Sequence, residues 1–284
     1  MFSKSGTALL SAAALAAIVA LAAGPGAAQA SLVAYEGFNY PSGTNLSVAA
    51  TTGTGFAGNW ALGDNPSYTT SMSVTSGSLS YSNLVTSNNK ATGATSYAVV
   101  TENLASPFNT AAGTTTWYSL LLQTPASSYG TGGNFPYAEF ILGGTGTGGQ
   151  TATYFGSPGG ASMDNGSGSN TSFNWANDTT YFLALENVVN AAGTGGYMNL
   201  YVDPTLGGSS PNAGSLLSTN STYAMTSVTS IELKAGSPWS FDEIRMGNTF
   251  SDVAPTTPEP ATLGLLGIGC LSLLLLKRKG KVLA

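Results

Sequence analysis

Two carboxylates could do hydrolytic chemistry if the fold brought them together. Glu139, in Tyr137-Ala138-Glu139-Phe140, and Glu186, in Ala184-Leu185-Glu186-Asn187, both lie in segments that read as strands. Carboxyl groups about 5 to 9 Å apart can act as acid and base, or as acid and nucleophile, on a glycosidic bond. No histidine is present and there is one cysteine, Cys270. Ser-His and Cys-His nucleophiles are therefore excluded, together with the commonest zinc ligand. Isolated strand carboxylates are usually solvated or paired, so no catalytic residue is assigned and the expectation is a protein that is not an enzyme.

Aromatic side chains offer a different chemistry. Trp60, Tyr68, Tyr129, Trp175, Tyr201 and Trp239 stand beside Asn, Gly and Ser. Flat rings next to amides and hydroxyls can stack on sugar rings and bond their hydroxyl groups. The same rings would serve equally as a core or its rim, and sequence does not settle which face each one takes.

These residues need elements to hold them. Ser31 to Asp252 is dominated by Gly, Ser, Thr, Asn, aromatic and β-branched residues, a composition that suits short strands and Gly-rich turns. Met198, Leu200 and Val202 alternate with Tyr197, Asn199, Tyr201 and Asp203, and Pro204 then ends the strand. Ile231 and Leu233 alternate with Glu232 and Lys234 in the same way. Trp117 to Leu122 and Tyr181 to Val189 are continuous apolar runs, which predict central strands covered on both faces. Gly143 to Gly149, Ser157 to Gly160, Asn165 to Asn170 and Gly207 to Pro211 predict loops. Together these features predict an all-β, antiparallel two-sheet sandwich over residues 31–252. Glu243 and Arg245 share one face of the closing strand, opposite Ile244 and Met246, and are expected to be a solvated pair.

Both ends of the chain read differently. Thr7 to Ala23 is apolar, is preceded by Lys4 and is followed by Gly24-Pro25-Gly26 and Ala28-Gln29-Ala30. That is the pattern of a secretory signal peptide over residues 1–30, cut between Ala30 and Ser31 with Ala28 and Ala30 as the small residues of the site. At the other end, residues 253–260 form a proline-rich linker. Ala261 to Leu276 is uncharged, and Lys277, Arg278, Lys279 and Lys281 follow it. The run predicts one transmembrane helix in a sorting tail over residues 261–284, its basic end kept cytoplasmic and everything before it outside. Cys270 lies inside that helix, so the exported part can form no disulfide. A plain membrane anchor at either end is the simpler alternative.

Charge supports the division. Between Ser31 and Thr257 stand Lys90, Lys234 and Arg245 against twelve acidic residues, a net charge of −9. Such a surface repels phosphate backbones and anionic lipid, so no nucleic-acid partner is expected.

Pro258-Glu259-Pro260, followed by the apolar run and the basic end, resembles the PEP-CTERM sorting signal. That resemblance implies an exosortase-type processing protease as partner, with the inner membrane holding the protein until the tail is removed. The protein would then reside at the cell surface or in the extracellular matrix. Tyr35-Glu36-Gly37-Phe38-Asn39-Tyr40-Pro41-Ser42-Gly43, Gly55 to Trp60, Leu200 to Pro204 and Phe241 to Gly247 are similar to strands of concanavalin A-like and laminin-G-like jelly rolls. What this implies is a jelly roll whose first and last strands pair, sealing its edges. It also implies a carbohydrate-binding-like domain, with Trp60, Trp175, Trp239 and Tyr201 as candidate ligand contacts and a polysaccharide as partner. No cofactor is expected, with one alternative: Asp203 or Asp242 could hold calcium, as in some members of that fold. A structural or adhesive spacer of an exopolysaccharide matrix is the second functional reading. A glycoside hydrolase using Glu139 and Glu186 is the third, although the Glu-x-Asp-x-x-Glu cluster of laminarinase-like members is missing.

Overall fold

The alternating segments fold as strands. The computed structural model describes residues 32–63, 70–84, 86, 89–94, 97–126, 137–146, 150–156, 160–164, 171–221 and 224–256. Among them the strands are β1 (Leu32–Glu36), β2 (Phe56–Ala61), β3 (Ser73–Ser76), β4 (Asn89–Thr92) and β5 (Ala98–Asn109). Then come β6 (Thr115–Gln123), β7 (Ala138–Gly146), β8 (Gln150–Phe155), β9 (Gly160–Asp164) and β10 (Thr171–Ser172). The last are β11 (Thr180–Val189), β12 (Gly196–Val202), β13 (Leu216–Asn220), β14 (Met225–Ala235) and β15 (Ser240–Gly247). One helical turn, α1 (Phe250–Val253), follows, held by a capping box between Thr249 and Asp252; reciprocal bonds of this kind satisfy backbone donors that a helix start leaves open.

Two antiparallel sheets form a jelly-roll sandwich. The front sheet runs β13-β12-β11-β6-β15-β4-β3, with β1 also on β15, and the back sheet runs β10-β9-β8-β7-β14-β5-β2. Between them Tyr118, Leu120, Leu183 and Leu200 of the front meet Phe140, Leu142, Ile231 and Leu233 of the back. Asn187 ties the layers together. From β11 its side chain bonds both the N–H and the carbonyl of Met225 on β14, each at 2.8 Å, so this interior amide is satisfied.

The first and last strands pair as expected, with Tyr35 opposite Arg245 and Glu36 opposite Ile244. They do not seal an edge, because β15 lies inside the front sheet, flanked by β6 and by β1 and β4. Residues 43–51 do that work. Gly43 and Leu46 donate to Val74 and Met72 at the β3 edge, while Ala49 accepts from Trp60 and Thr51 donates to Gly58 at the β2 edge. One segment thus hems an edge of each sheet and removes an aggregation-prone template.

The central strands carry a second apolar layer on the front sheet's outer side. Trp117, Leu121, Phe182 and Ala184 point away from the sandwich and are covered by Leu79, Leu84, Phe250, Val253 and Ala254. That is why β6 and β11 read as continuously apolar. The compact unit spans Ala30–Thr256, and Val253 and Ala254 are fully buried.

The glycine run corrects one expectation. Gly143, Gly144 and Gly146 belong to β7 and pair with β14, not to a loop. A Cβ on Gly144 would stand 2.0 Å from the Ser227 carbonyl oxygen, so the close approach of β14 excludes a side chain there. Gly207 to Pro211 is a loop as expected. No helix among the described residues is long and apolar enough to cross a membrane. The expected signal segment with Ala28 and Ala30, Pro258-Glu259-Pro260, the apolar tail and its basic end all lie outside the described residues, as do Tyr68, Tyr129 and 165–170.

Candidate functional site

Two of the rings expected at a ligand site are interior. Trp60 and Trp239 are each 1 % exposed, so neither presents a face to a sugar. Trp60 shares the inward face of β2 with Phe56, and its indole N–H donates to the Tyr40 hydroxyl at 3.0 Å while Tyr40 donates to Glu36 at 2.8 Å. Two of the jelly-roll-like segments are therefore joined by a single hydrogen-bond chain. Trp175 is half-buried, with its ring edge-on to Phe155, Phe173, Tyr181 and Trp239. It packs against the core from its rim.

Asp203 and Asp242, the calcium candidates, are brought to one segment and engage protein donors. Asp242 is fully buried and accepts from Ser78 Oγ at 2.6 Å and from the Leu79 and Glu243 N–H groups at 2.9 and 2.8 Å. Burial still pushes its carboxyl up to about 8. Asp203 accepts the Phe182 N–H at 2.9 Å and bonds the Tyr81 hydroxyl; burial raises it as well. Together the two aspartates pin residues 78–81 over the front sheet. Among the described residues no group of three or more His, Cys, Asp or Glu gathers as a metal site would require.

Glu139 and Glu186 are not brought together. Phe140 and Leu142 of β7 face the core, so Glu139 points out of the back sheet. Leu183, Leu185 and Asn187 of β11 face the core, so Glu186 points out of the front sheet. The whole sandwich separates the two carboxyls, and they cannot share a glycosidic bond. Glu139 instead faces Lys234, whose Nζ is 3.5 Å away and closer, at 3.1 Å, to Glu232. Burial pushes Glu139 up to about 7 against the pull of Lys234. Lys234 would be lowered by its own burial but is held above its ordinary value by Glu139 and Glu232.

Glu243 and Arg245 form an ion pair as expected, but a buried and not a solvated one, at 0 % and 4 % exposure. The Tyr35 ring covers the guanidinium 5.5 Å from its centroid, and its hydroxyl donates to Glu243. Glu243 itself takes a left-handed backbone, φ 54°, at the bulge where β15 leaves register with β6.

Two interior acids were not legible in the sequence. Glu36 and Glu102 face the core from opposite sheets, opposite Ile244 and Ile231 respectively. Glu36 accepts from the Phe38 N–H and the Tyr40 hydroxyl. No donor meets hydrogen-bond geometry at either oxygen of Glu102, though the Thr51 hydroxyl is near enough to soften the effect; burial pushes Glu102 up to about 8.

One accessible cluster combines rings with polar groups. On the outer side of the front sheet the cover ends at Trp117 and Tyr201, whose rings lie 6.0 Å apart. Beyond that border β11, β12 and β13 stay open. In register across them are Glu186, Asn199 and Thr219. Tyr197 and Tyr201 flank Asn199 along β12, about 13 Å apart at strand rise. Tyr197 is 39 % exposed and Leu216, opposite Tyr201, is 45 % exposed. Asn199 Nδ2 and the Tyr201 hydroxyl both donate to Glu186 Oε2, at 2.8 and 3.0 Å, and Thr219 donates to Asn199 Oδ1 at 2.7 Å. Burial first and Glu186 second push Tyr201 up to about 12, so it stays a donor. Each side chain orients the next, leaving a surface whose polar groups are already ordered. Of the candidate rings among the described residues, only Tyr201 belongs to it.

No protein-family model and no curated protein sequence matches the chain. Solved structures that overlap it include peanut lectin, with 11 % identity and a TM-score of 0.42 over 72 % of this chain and 95 % of that one. The galectin LEC-6 of Caenorhabditis elegans overlaps with 15 % identity and a TM-score of 0.32, over 51 % of this chain and 93 % of that one. The carbohydrate-binding module CBM66 from Bacillus subtilis overlaps with 8 % identity and a TM-score of 0.33, over 64 % and 97 %. At these scores neither a ligand nor a reaction transfers.

Proposed function

We propose that this chain is an exported protein whose sandwich binds carbohydrate without catalysis, through the open outer face of β11, β12 and β13. The observation that carries the reading is the preordered row Glu186-Asn199-Thr219 between Tyr197 and Tyr201. An amide, a carboxylate and hydroxyls match the donors and acceptors of sugar hydroxyl groups. Tyrosine faces match the apolar side of a pyranose. Because the polar groups are held by one another, little side-chain freedom is lost on binding. The distance between Tyr197 and Tyr201 suits an oligosaccharide more than a single sugar.

Absence of catalysis is supported by the separation of Glu139 from Glu186 on opposite faces and by the lack of histidine. Export and PEP-CTERM-type sorting are supported by Lys4 with the apolar run to Ala23, by Ala28 and Ala30, and by Pro258-Glu259-Pro260 ahead of an apolar segment and a basic end. In this reading an exosortase-type protease cuts the tail, and the domain passes from the inner membrane to the cell surface or matrix. Calcium at Asp203 or Asp242 would have to displace the donors that now occupy those carboxylates.

Equilibrium binding of the full chain to a panel of soluble polysaccharides tests the central part. Affinity for at least one is expected, weakened about tenfold by Tyr197→Ala or Asn199→Ala, which is about 1.4 kcal/mol. Binding to none of them would sink the reading and favour the matrix spacer. Fractionation of cells carrying alanines at Pro258, Glu259 and Pro260 tests the sorting part, with retention of uncut protein in the membrane as the expected result.

A further inference from the structure

We infer that the ligand of the open front face is a cationic amino-sugar polymer, a partly de-N-acetylated hexosamine glycan whose ammonium group is taken by Glu186. The inference rests on the carbohydrate-binding reading above and adds the charge of the ligand to it.

Glu186 stands at the centre of the open face with a hydrogen-bonding capacity only half used. Oε2 accepts from Asn199 and Tyr201, while Oε1 receives no donor from the described residues. Both donors are neutral, so they orient the carboxylate without cancelling its charge. No described basic residue shares that part of the surface. Lys234 is on the opposite sheet between Glu139 and Glu232. Arg245 is buried with Glu243 on β15. Lys90 lies three strands away on β4, where its Nζ donates to Gln123 at 2.8 Å. Asp203, at the end of β12, adds a further acid on the same side. The residues from Ser31 to Thr257 carry a formal charge of −9, which stays negative even with Glu102 and Asp242 held protonated by burial.

These facts select among glycans by charge. A uronate, sulfated or pyruvylated polymer would bring anions onto a carboxylate that lacks a counter-ion, inside a negative field. A neutral glycan could stack on Tyr197 and bond Asn199 and Thr219 but would leave Oε1 to water. A protonated amino sugar supplies the missing donor as a charge-assisted bond, with its ring free to lie on Tyr197. Repetition of the amine along the polymer multiplies the effect at neighbouring units.

The test uses the purified full chain with three probes: a chitosan oligosaccharide, its fully N-acetylated counterpart and an oligogalacturonate. Chitosan is expected to bind most tightly, more weakly as salt rises, and the galacturonate not at all. Glu186→Gln should reduce chitosan affinity roughly threefold to tenfold, the worth of one charge-assisted contact at a partly exposed site, and weaken the acetylated oligosaccharide by a smaller factor, since the amide oxygen can still hold Asn199 and Tyr201. Tyr197→Ala should weaken both. A galacturonate that binds as well as chitosan, or a chitosan preference that survives Glu186→Gln, would overturn the inference while the carbohydrate-binding reading stood. Full chitosan affinity in Tyr197→Ala would overturn it too, because the attraction would then be the diffuse field of an acidic protein. Failure of all three probes to bind would strike at both together.

Discussion

Apart from the buried Glu243–Arg245 pair on β15, the two outer faces of the sandwich treat their acids differently. On the back sheet Glu139 and Glu232 share the charge of Lys234, and Thr101 donates to Glu232. On the front sheet Asp203, Asp242 and Glu186 are held by neutral groups: backbone N–H, serine and tyrosine hydroxyls and an amide. The first arrangement satisfies charge with charge and leaves little for a ligand to do. The second fixes geometry and leaves charge uncompensated. Where the front acids clamp a covering segment, at Asp203 and Asp242, burial raises the carboxyls toward their neutral form while they hold the cover. Where no cover lies over them, at Glu186, the same chemistry becomes a place for something else to bind.

Removing the cover breaks this comparison most severely. Phe250→Ala takes away the ring set edge-on to Trp117 at 5.3 Å and leaves a cavity over Leu121 and Phe182. A loss of about 3 to 5 kcal/mol is expected in denaturant unfolding, the usual cost of deleting a buried phenylalanine side chain. Stability equal to wild type would mean that the second apolar layer contributes nothing.

Exchanging charges on the two faces sharpens it. Lys234→Met strands Glu139 and Glu232 beside one another and should cost up to about 3 kcal/mol, because one partner of a largely buried cluster is removed. Glu186→Gln keeps the shape and the hydrogen-bonding oxygen and should change stability by less than about 0.5 kcal/mol. Equal effects from the two variants would show that the faces do not differ in the way described.

A smaller effect comes from the interior acids. Glu102 has an ordinary value of 4.5 and is pushed up to about 8 by burial. The fold therefore keeps this proton over a range in which the unfolded chain has lost it. Its contribution is most favourable below the lower value and is lost as pH rises toward the upper one. Asp242, moved from 3.8 to about 8, acts with the same sign. Melting temperature should thus fall between about pH 5 and pH 8, and Glu102→Gln should flatten the fall without abolishing it, since Asp242 remains. A profile rising over that range, or a variant as steep as wild type, would contradict the placement of Glu102.

Much of the scaffold was legible because it depends on period. The alternation of Met198, Leu200 and Val202 with Tyr197, Asn199 and Tyr201 placed β12 correctly. The unbroken apolar runs marked β6 and β11 as strands covered on both sides. The site was less legible, because it depends on which strands become neighbours. Asn199 meets Glu186 across a hairpin and Thr219 across the next one, and no single segment shows both. Trp60 and Trp239 stand beside Asn, Gly and Ser in sequence, yet both pack into the core between the sheets. Nor does sequence distinguish a glycine needed for a turn from one needed for close approach, which is why Gly143 to Gly146 read as a loop. Glu36 and Glu102 escaped notice because a buried carboxyl without a local motif looks like any solvated one.

Hydrogen exchange on the full chain, with and without a bound amino-sugar oligosaccharide, tests the central claim most directly. Slowed exchange confined to β12 and β13, with adjoining β11, is the predicted footprint. Protection centred on β7 and β14, around Glu139 and Lys234, would place the ligand on the wrong sheet and contradict the account.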